Sequence, residues 1–194
     1  YIQTTPLQLC LMTAQLANGG FKIKPNIIYD SKFNYEEVLS KIQSEKNKPI
    51  QANILQDQNI NLYEKLYKNS NNIKIVLDAM YGSTNEQFGT SFRSRHNDKK
   101  YRYAGKTGTS QVRRITEKDR ELDLDTSEIE YKNRDHALFV AFAPYDKPKY
   151  AISVLVEHGG SGSKAAAPLA KKLIKKIIDR DKDREIKREE LKII

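Results

Sequence analysis

Apolar and polar positions along the 194 residues predict a helix first, strands in the second half and a long helix at the end. Thr4 or Thr5 can cap the opening helix, and Pro6 lies in its first turn. It is predicted to end at Asn18-Gly19-Gly20. Its apolar residues at helical spacing are Leu7, Leu11, Ala14 and Leu16.

Less regular segments follow this helix. Residues 21–28 alternate apolar and polar positions but contain Pro25, which predicts a short edge strand or an extended segment. Residues 30–61 are rich in Lys, Asn, Gln and Glu with little periodicity, and we interpret them as an insertion that forms a loop. A second helical region is predicted to end before Gly82, with a break near residues 69–72 left open. Its apolar positions are Leu62, Leu66, Ile73, Val76, Leu77 and Met80.

The second half of the chain has the composition of a sheet. Residues 101–112 are aromatic and β-branched around two glycines, which predicts an extended strand. Residues 115–135 are mostly polar and predict a long surface loop. Apolar runs at 137–142 and 150–156 flank a turn sequence that contains two prolines, and they predict a hairpin.

A closing helix is predicted to begin near Ala165, with Pro168 in its first turn. Its apolar stripe should lie across the sheet. The predicted fold is therefore α+β, with an antiparallel sheet and helices packed on its faces, in one domain. The residues of the stripe are Leu169, Leu173, Ile174, Ile177 and Ile178.

Composition adds few constraints. The net charge of +9 suggests an anionic partner, but Lys and Arg alternate with Asp and Glu in residues 171–192, which is typical of a solvated helix face. The single Cys10 excludes an intrachain disulfide and favours simple packing. The three histidines lack partners at a recognisable metal spacing, so no metal site is predicted, and structural roles are favoured for His136 and His158.

The residues with the clearest chemistry are Lys106-Thr107-Gly108-Thr109, inside the strand predicted at 101–112. Lys106 would give an edge strand a fixed positive charge, and the Thr109 N–H could stabilise an oxygen that becomes negative during acyl transfer. Gly108 leaves room for a substrate backbone, while the hydroxyls of Thr107 and Thr109 suit a carboxylate. Because side chains alternate between the faces of a strand, Lys106 and Thr107 need strand twist or an edge position to serve one cleft.

The segments around this motif resemble elongation-class penicillin-binding proteins, the penicillin-binding protein 2 group of class B peptidoglycan D,D-transpeptidases. Lys-Thr-Gly is one of the three signatures of penicillin-binding proteins and β-lactamases. Residues 1–194 are accordingly interpreted as the C-terminal portion of a transpeptidase domain, and the sequence looks truncated at its N-terminus. The other similar segments are residues 1–8, Met80-Tyr81-Gly82 with Gly89-Thr90, residues 135–144 and residues 157–163.

This resemblance implies an enzyme that binds penicillin and cross-links peptidoglycan stem peptides through an acyl-serine intermediate, without a cofactor. Lys106 would attract the substrate carboxylate and orient the hydroxyl of a Ser-x-Asn motif. Thr107 and Thr109 would hydrogen-bond that carboxylate beside Gly108, and the Thr109 N–H would be one of two oxyanion donors.

The resemblance also implies partners and a location. The ligands would be stem peptides and β-lactams, and the N-terminal part of the same domain would complete the site. The protein would lie at the periplasmic face of the bacterial inner membrane, anchored by an upstream helix outside this chain. There it would work with a membrane-embedded glycan polymerase and the elongation machinery that maintains cell shape, and no nucleic acid is expected.

Two segments match the residue types of the family's remaining signatures but lie at the wrong positions in the chain. Ser161-Gly162-Ser163-Lys164 fits Ser-x-x-Lys, and Ser70-Asn71-Asn72 fits Ser-x-Asn. In the family both motifs precede the segment similar to residues 1–16. We therefore expect no nucleophile in this chain and no catalysis by the chain alone. Two alternatives remain at this point, a non-catalytic remnant and a basic module that binds nucleic acid or another anionic polymer.

Overall fold

The computed structural model describes residues 3–25, 27, 64–112, 126 and 128–192, with backbone alone for residues 184–192. Its centre is an antiparallel sheet of three strands in the order β1-β2-β3, which are β1 (Ala104–Ser110), β2 (His136–Ala143) and β3 (Tyr150–Val156). Helices α1 (Pro6–Ala17) and α2 (Ser70–Asn85) pack on one face. Helix α3 (Ala167–Lys192) packs on the other face, so the predicted α+β class is confirmed.

The first helix begins and ends where its sequence predicts. Thr5 is the N-cap, because its Oγ1 accepts the Gln8 N–H at 3.2 Å while Gln8 Oε1 accepts the Thr5 N–H at 2.8 Å. Asn18 is the C-cap, and its side-chain oxygen accepts N–H groups from the two residues Gly20 and Phe21. Local capping chemistry therefore fixes both ends of α1.

Helix α2 differs from its predicted range at both ends. Its N-cap is Asn69, which accepts the Asn71 N–H at 2.9 Å, so the Asn-rich segment starts the helix instead of breaking it, and Leu66 lies ahead of the helix in a bend. The predicted end before Gly82 is wrong, since α2 continues to Asn85. Ser91 donates its backbone N–H and its hydroxyl to the Ser83 carbonyl, each at 3.0 Å, and so satisfies the last turn from outside the helix.

The predicted hairpin of β2 and β3 is confirmed, with Val140 opposite Ser153. β1 is shorter than the predicted strand, because a 3₁₀ turn at Lys99–Tyr101 precedes it. In the segment predicted as an edge strand, Phe21 forms one isolated bridge with Lys65 and residues 22–25 form no strand. Pro25 can donate no N–H to a ladder there.

Side chains of β1 and β2 separate by parity between the two faces. Odd-numbered residues such as Phe139 and Ala141 pack with α3, whereas even-numbered residues such as Val140 and Phe142 pack with α1 and α2. This alternation puts Lys106 on the α1 and α2 side of β1 and Thr107 on the α3 side.

Helix α3 rests on the sheet through small residues and two isoleucines. The residues buried in this contact are Ala166, in the turn directly before the helix, and Ala167, Ala170, Ile174 and Ile178 of the helix itself. The predicted stripe is therefore only partly right, because Leu169 and Leu173 are 44% and 46% exposed. The helix is rotated so that alanines, which allow close approach, face the strands.

Two predicted loop segments fall largely outside the described residues. Residues 30–61 lie outside them, and of residues 115–135 the structure describes 126 and 128–135, with a 3₁₀ turn at Tyr131–Asn133. Among the helices that the structure describes, none combines the length and the apolar character needed to cross a membrane.

Candidate active site on strand β1

The predicted catalytic residues lie on β1, at the edge of the described sheet. Lys106 is opposite Val140 of β2, and Thr109 is opposite Ala137. Lys106 and Thr109 are exposed, while Thr107 and Gly108 are half-buried. An edge position, one of the two arrangements that would let Lys106 and Thr107 serve one cleft, is therefore present in the described part of the sheet.

The first half of the free edge of β1 is closed by side chains from the last turn of α2. The Gly105 N–H donates to Thr84 Oγ1 at 3.1 Å, and the Thr84 hydroxyl lies 3.4 Å from the Gly105 carbonyl. Asn85 Nδ2 donates to the Tyr103 carbonyl at 2.9 Å. Thr84 is completely buried. These two side chains thus take the place of a neighbouring strand.

Along the second half of that edge, no described residue forms a neighbouring strand. In an antiparallel pair, alternate residues direct both backbone groups toward the partner strand, and the residues between them direct both groups away from it. Because Gly105 bonds Thr84 and not β2, the N–H and C=O groups of Thr107 and Thr109 face the same outer edge. The Thr109 N–H therefore points toward the side from which a substrate can approach β1.

Lys106 bends around this edge and brings its charge to Thr107. Its Nζ donates to the Thr107 carbonyl at 2.9 Å and lies 3.3 Å from Thr107 Oγ1. The ammonium group and the Thr107 hydroxyl therefore lie together although the two side chains leave the strand on opposite faces. A carboxylate at this point would meet one fixed positive charge and one hydroxyl donor.

A chain of hydroxyl groups continues from Thr107 to the end of α2. Thr107 Oγ1 lies 3.4 Å from Thr90 Oγ1, which lies 3.1 Å from Ser83 Oγ. Hydroxyls act as both donor and acceptor, so these contacts can orient the Thr107 hydroxyl toward an external acceptor. Thr90 belongs to the Gly89-Thr90 pair that carries part of the family resemblance, and Thr84 and Ser83 were not predicted as site residues.

Gly108 has space around it that the fold does not use. Among the residues that the structure describes, a Cβ at Gly108 would meet only the Leu138 Cβ, at 3.4 Å, which is ordinary contact. A Cβ at Gly105, in contrast, would lie 2.4 Å from Phe139 Cζ, so that glycine is required by packing. The reason for a glycine at position 108 therefore lies outside the described fold, as expected if a ligand backbone approaches there.

The turn at residues 161–164 lies nearer to β1 than its sequence position suggests. A Cβ at Gly162 would lie 2.7 Å from the Gly108 carbonyl oxygen, so the turn before α3 touches the strand. Ser161 Oγ, however, hydrogen-bonds Ser163 Oγ at 2.9 Å. The expectation that Ser161 is not the nucleophile stays a prediction.

The second match, Ser70-Asn71-Asn72, lies at the opposite end of α2 from the site. The helix rises about 1.5 Å per residue, so Ser70 is about 20 Å along the axis from Thr84, which contacts β1. All three residues are exposed. This segment is too far away to serve the β1 edge.

Other reactive side chains in the described chain have structural partners. His136 Nδ1 accepts the His158 N–H at 2.9 Å, and His158 Nδ1 lies 3.0 Å from the Arg134 carbonyl, so both rings tie the ends of the hairpin together. Cys10 Sγ lies 3.4 Å from the Ala151 carbonyl, and burial raises the pKa of its thiol. Within the residues described, no group of three or more His, Cys, Asp or Glu side chains could hold a metal ion.

Comparison with known proteins identifies the class to which this geometry belongs. The model of the penicillin binding protein transpeptidase domain matches residues 2–175, and the chain belongs to this family. Among curated relatives, the peptidoglycan D,D-transpeptidase MrdA of Haemophilus influenzae is 32% identical over 179 residues, which are 90% of this chain and 24% of that protein. MrdA of Salmonella typhimurium is 39% identical over 100 residues, 52% of this chain and 15% of that protein.

Solved structures point to the same group. Penicillin-binding protein 2 of Pseudomonas aeruginosa is 30% identical with a TM-score of 0.59, covering 90% of this chain and 30% of that chain. The complex between penicillin-binding protein 2 and MreC from Helicobacter pylori gives 28% identity and a TM-score of 0.55, covering 91% of this chain and 25% of that chain. The predicted resemblance to penicillin-binding protein 2 is confirmed, and the chain spans about a quarter of the length of these relatives.

Proposed function

We propose that this chain forms one wall of the active site of a peptidoglycan D,D-transpeptidase that binds penicillin. Lys106, Thr107, Gly108 and Thr109 would bind the D-alanyl-D-alanine end of a stem peptide along the open edge of β1. The observation that carries the proposal is the outward direction of the Thr109 N–H beside the Lys106 ammonium and the Thr107 hydroxyl. Membership of the transpeptidase family supports it.

Acyl transfer through a serine needs stabilisation of a negative oxygen. When the serine oxygen attacks the peptide carbonyl, the carbonyl oxygen gains charge, and D-alanine leaves as the acyl-serine forms. The Thr109 N–H faces the open edge where this oxygen would lie. Losing one such donor typically costs about a hundredfold or more in rate.

The substrate carboxylate would be held by the residues on either side of Gly108. Lys106 supplies the charge, and its contact with Thr107 Oγ1 at 3.3 Å places charge and hydroxyl at one point. The hydroxyl of Thr109 is exposed on the same stretch of strand. Gly108 would allow the substrate backbone to lie flat against β1 as an added strand, which is a common mode of peptide binding.

The nucleophilic serine, its lysine and the Ser-x-Asn motif would come from outside these 194 residues, so the chain alone would not catalyse. The complete protein would act at the periplasmic face of the inner membrane, with a membrane-embedded glycan polymerase and the elongation machinery. The MreC complex of the Helicobacter pylori relative supports a place in such an assembly.

The test compares the rate of penicillin acylation for the full-length protein and its Lys106→Ala variant. We expect the second-order rate constant to fall about a hundredfold, because the β-lactam carboxylate loses its charge partner. Lys182→Ala is the matched control, since Lys182 is an exposed lysine on α3, away from β1. Equal rates for Lys106→Ala and the control would overturn the assignment of this wall.

A further inference from the structure

A groove adjoins the β1 site and has a strongly basic lining. It lies between the segment from Gly89 to His96 and the beginning of α3, with a volume of about 810 Å³. Of the lining side chains that belong to described residues, five are cationic and none is acidic. The sequence predicted spread charge balanced by acidic residues, but the fold collects cations here from two separate segments. They are Arg93, Lys164, Lys171, Lys172 and Lys175.

A hydrogen bond joins the two walls of the groove, because His96 Nε2 donates to the Lys171 carbonyl at 3.0 Å. Tyr103, which directly precedes β1, donates its hydroxyl to the Ser94 carbonyl at 2.7 Å and holds the first wall against the sheet. Burial lowers the pKa of His96, as do the nearby charges of Lys171 and Lys175. His96 therefore stays neutral near pH 7 and fixes the wall without adding charge.

Only part of the positive charge is neutralised by neighbours. Lys175 pairs with Asp179 at 2.7 Å. Arg93, Lys171 and Lys172 form no ion pair with the residues that the structure describes. Lysines and arginines that line a cleft without carboxylates create a field that attracts and holds anionic groups.

The groove opens onto the proposed catalytic strand. Thr90 lines the groove, and its Oγ1 lies 3.4 Å from Thr107 Oγ1. Ser163 also lines it, next to Gly162, which approaches the Gly108 backbone. A ligand whose end is bound at Thr107 can therefore continue into the groove without crossing the sheet.

We propose that this groove binds carboxylate groups of the peptidoglycan strand whose peptide reacts at β1. The inference rests on the proposed function and deepens it, because it assigns a second binding region for the same substrate. Charge complementarity and the shared Thr90 favour this occupant over an unrelated polyanion. Arg93, Lys171 and Lys172 would select multiply charged strands over short substrates with a single carboxylate.

The test uses the full-length protein with two substrates and two triple variants. The groove variant is Arg93→Gln with Lys171→Gln and Lys172→Gln, which keeps the Lys171 carbonyl that His96 needs. The control removes three cations of α3 that lie outside the groove lining, by Lys176→Gln, Arg180→Gln and Lys182→Gln. The substrates are labelled penicillin and a soluble uncross-linked peptidoglycan strand.

We expect the groove variant to raise the KM for the strand about tenfold at low salt, with kcat and penicillin acylation unchanged, since each exposed charge contact contributes modestly. The control variant should stay within about twofold, and 1 M salt should remove the difference. If the two triple variants have an equal KM for the strand and penicillin acylation is retained, the inference is overturned and the proposed function stands. Groove-dependent retention on DNA without a change in KM would also overturn it. Absence of penicillin acylation in the unmodified protein would overturn the proposed function and this inference with it.

Discussion

The closure of the β1 edge by Thr84 can be tested by removing a single oxygen atom. Thr84→Val keeps the size and branching of the side chain but leaves the Gly105 N–H without its acceptor at 3.1 Å. Both Thr84 and Gly105 are buried, so water cannot replace the lost partner. A buried donor left unsatisfied costs about 1–3 kcal/mol of folding free energy.

Thr13→Val is the matched control, because Thr13 is also completely buried in a helix. Its hydroxyl donates to the Leu9 carbonyl at 2.8 Å, an oxygen that already accepts the Thr13 N–H of the helix. Removing this hydroxyl leaves no buried donor unpaired. We therefore expect a change below about 0.5 kcal/mol.

The assay is urea unfolding of the full-length protein, monitored by a probe placed in the transpeptidase domain. We also expect Thr84→Val to slow penicillin acylation more than Thr13→Val does, since β1 loses the bond that fixes its edge. If Thr84→Val and Thr13→Val lower the free energy of unfolding equally, Thr84 does not stabilise the β1 edge in place of a neighbouring strand.

Further predictions concern the glycines, an ion cluster and the isolated chain. Gly108→Ala should slow penicillin acylation at least about tenfold yet change stability by less than about 1 kcal/mol, because its Cβ would lie no closer than 3.4 Å to any atom of the described residues. Gly105→Ala should destabilise the fold by about 1–3 kcal/mol in urea unfolding, since its Cβ would lie 2.4 Å from Phe139. Hydrogen bonds from Lys175, Tyr101 and Lys100 lower the pKa of Asp179, so its contribution to stability is present above the unfolded carboxyl pKa of about 3.9 and is lost as pH falls below it. Asp179→Asn should therefore flatten the loss of stability measured in acid, and an unchanged slope would contradict this. The purified 194-residue chain should aggregate and form no stoichiometric adduct with labelled penicillin, whereas an adduct lost on Ser161→Ala would identify Ser161 as the nucleophile.

The parts of the fold that follow from the sequence are those fixed by local chemistry. Thr5, Pro6 and Asn18 set the ends of α1 because their partners lie within a few residues. The two strands of the hairpin are apolar runs joined by a turn, so their pairing needs no distant information.

The errors arise where distant groups decide the outcome. Helix α2 passes Gly82 because Ser91 donates to the Ser83 carbonyl and the Gly105 N–H donates to the Thr84 hydroxyl, and both partners come from later in the chain. The orientation of α3 depends on which side chains allow close approach to the sheet, so alanines replace Leu169 and Leu173 in the contact. Periodicity identifies the helix but does not fix its rotation.

The residues of the site also divide into those that the sequence predicts and those that only the fold brings together. Lys106 to Thr109 are contiguous and were predicted from their residue types and their resemblance, whereas Thr84 gave no signal before its contact with Gly105 was known. The groove joins Arg93 to Lys171 and Lys172 across nearly 80 positions, so charge counting along the sequence could not find it.

The role of Lys106 to Thr109 as one wall of the active site is tested most directly by a crystal structure of the full-length protein acylated by a penicillin. We expect the acyl carbonyl oxygen at about 2.7–3.1 Å from the Thr109 nitrogen. We also expect the penicillin carboxylate against Lys106 and Thr107, with the covalent bond to a serine outside these 194 residues. An acylated Ser161, or a carboxylate bound away from β1, would contradict this role.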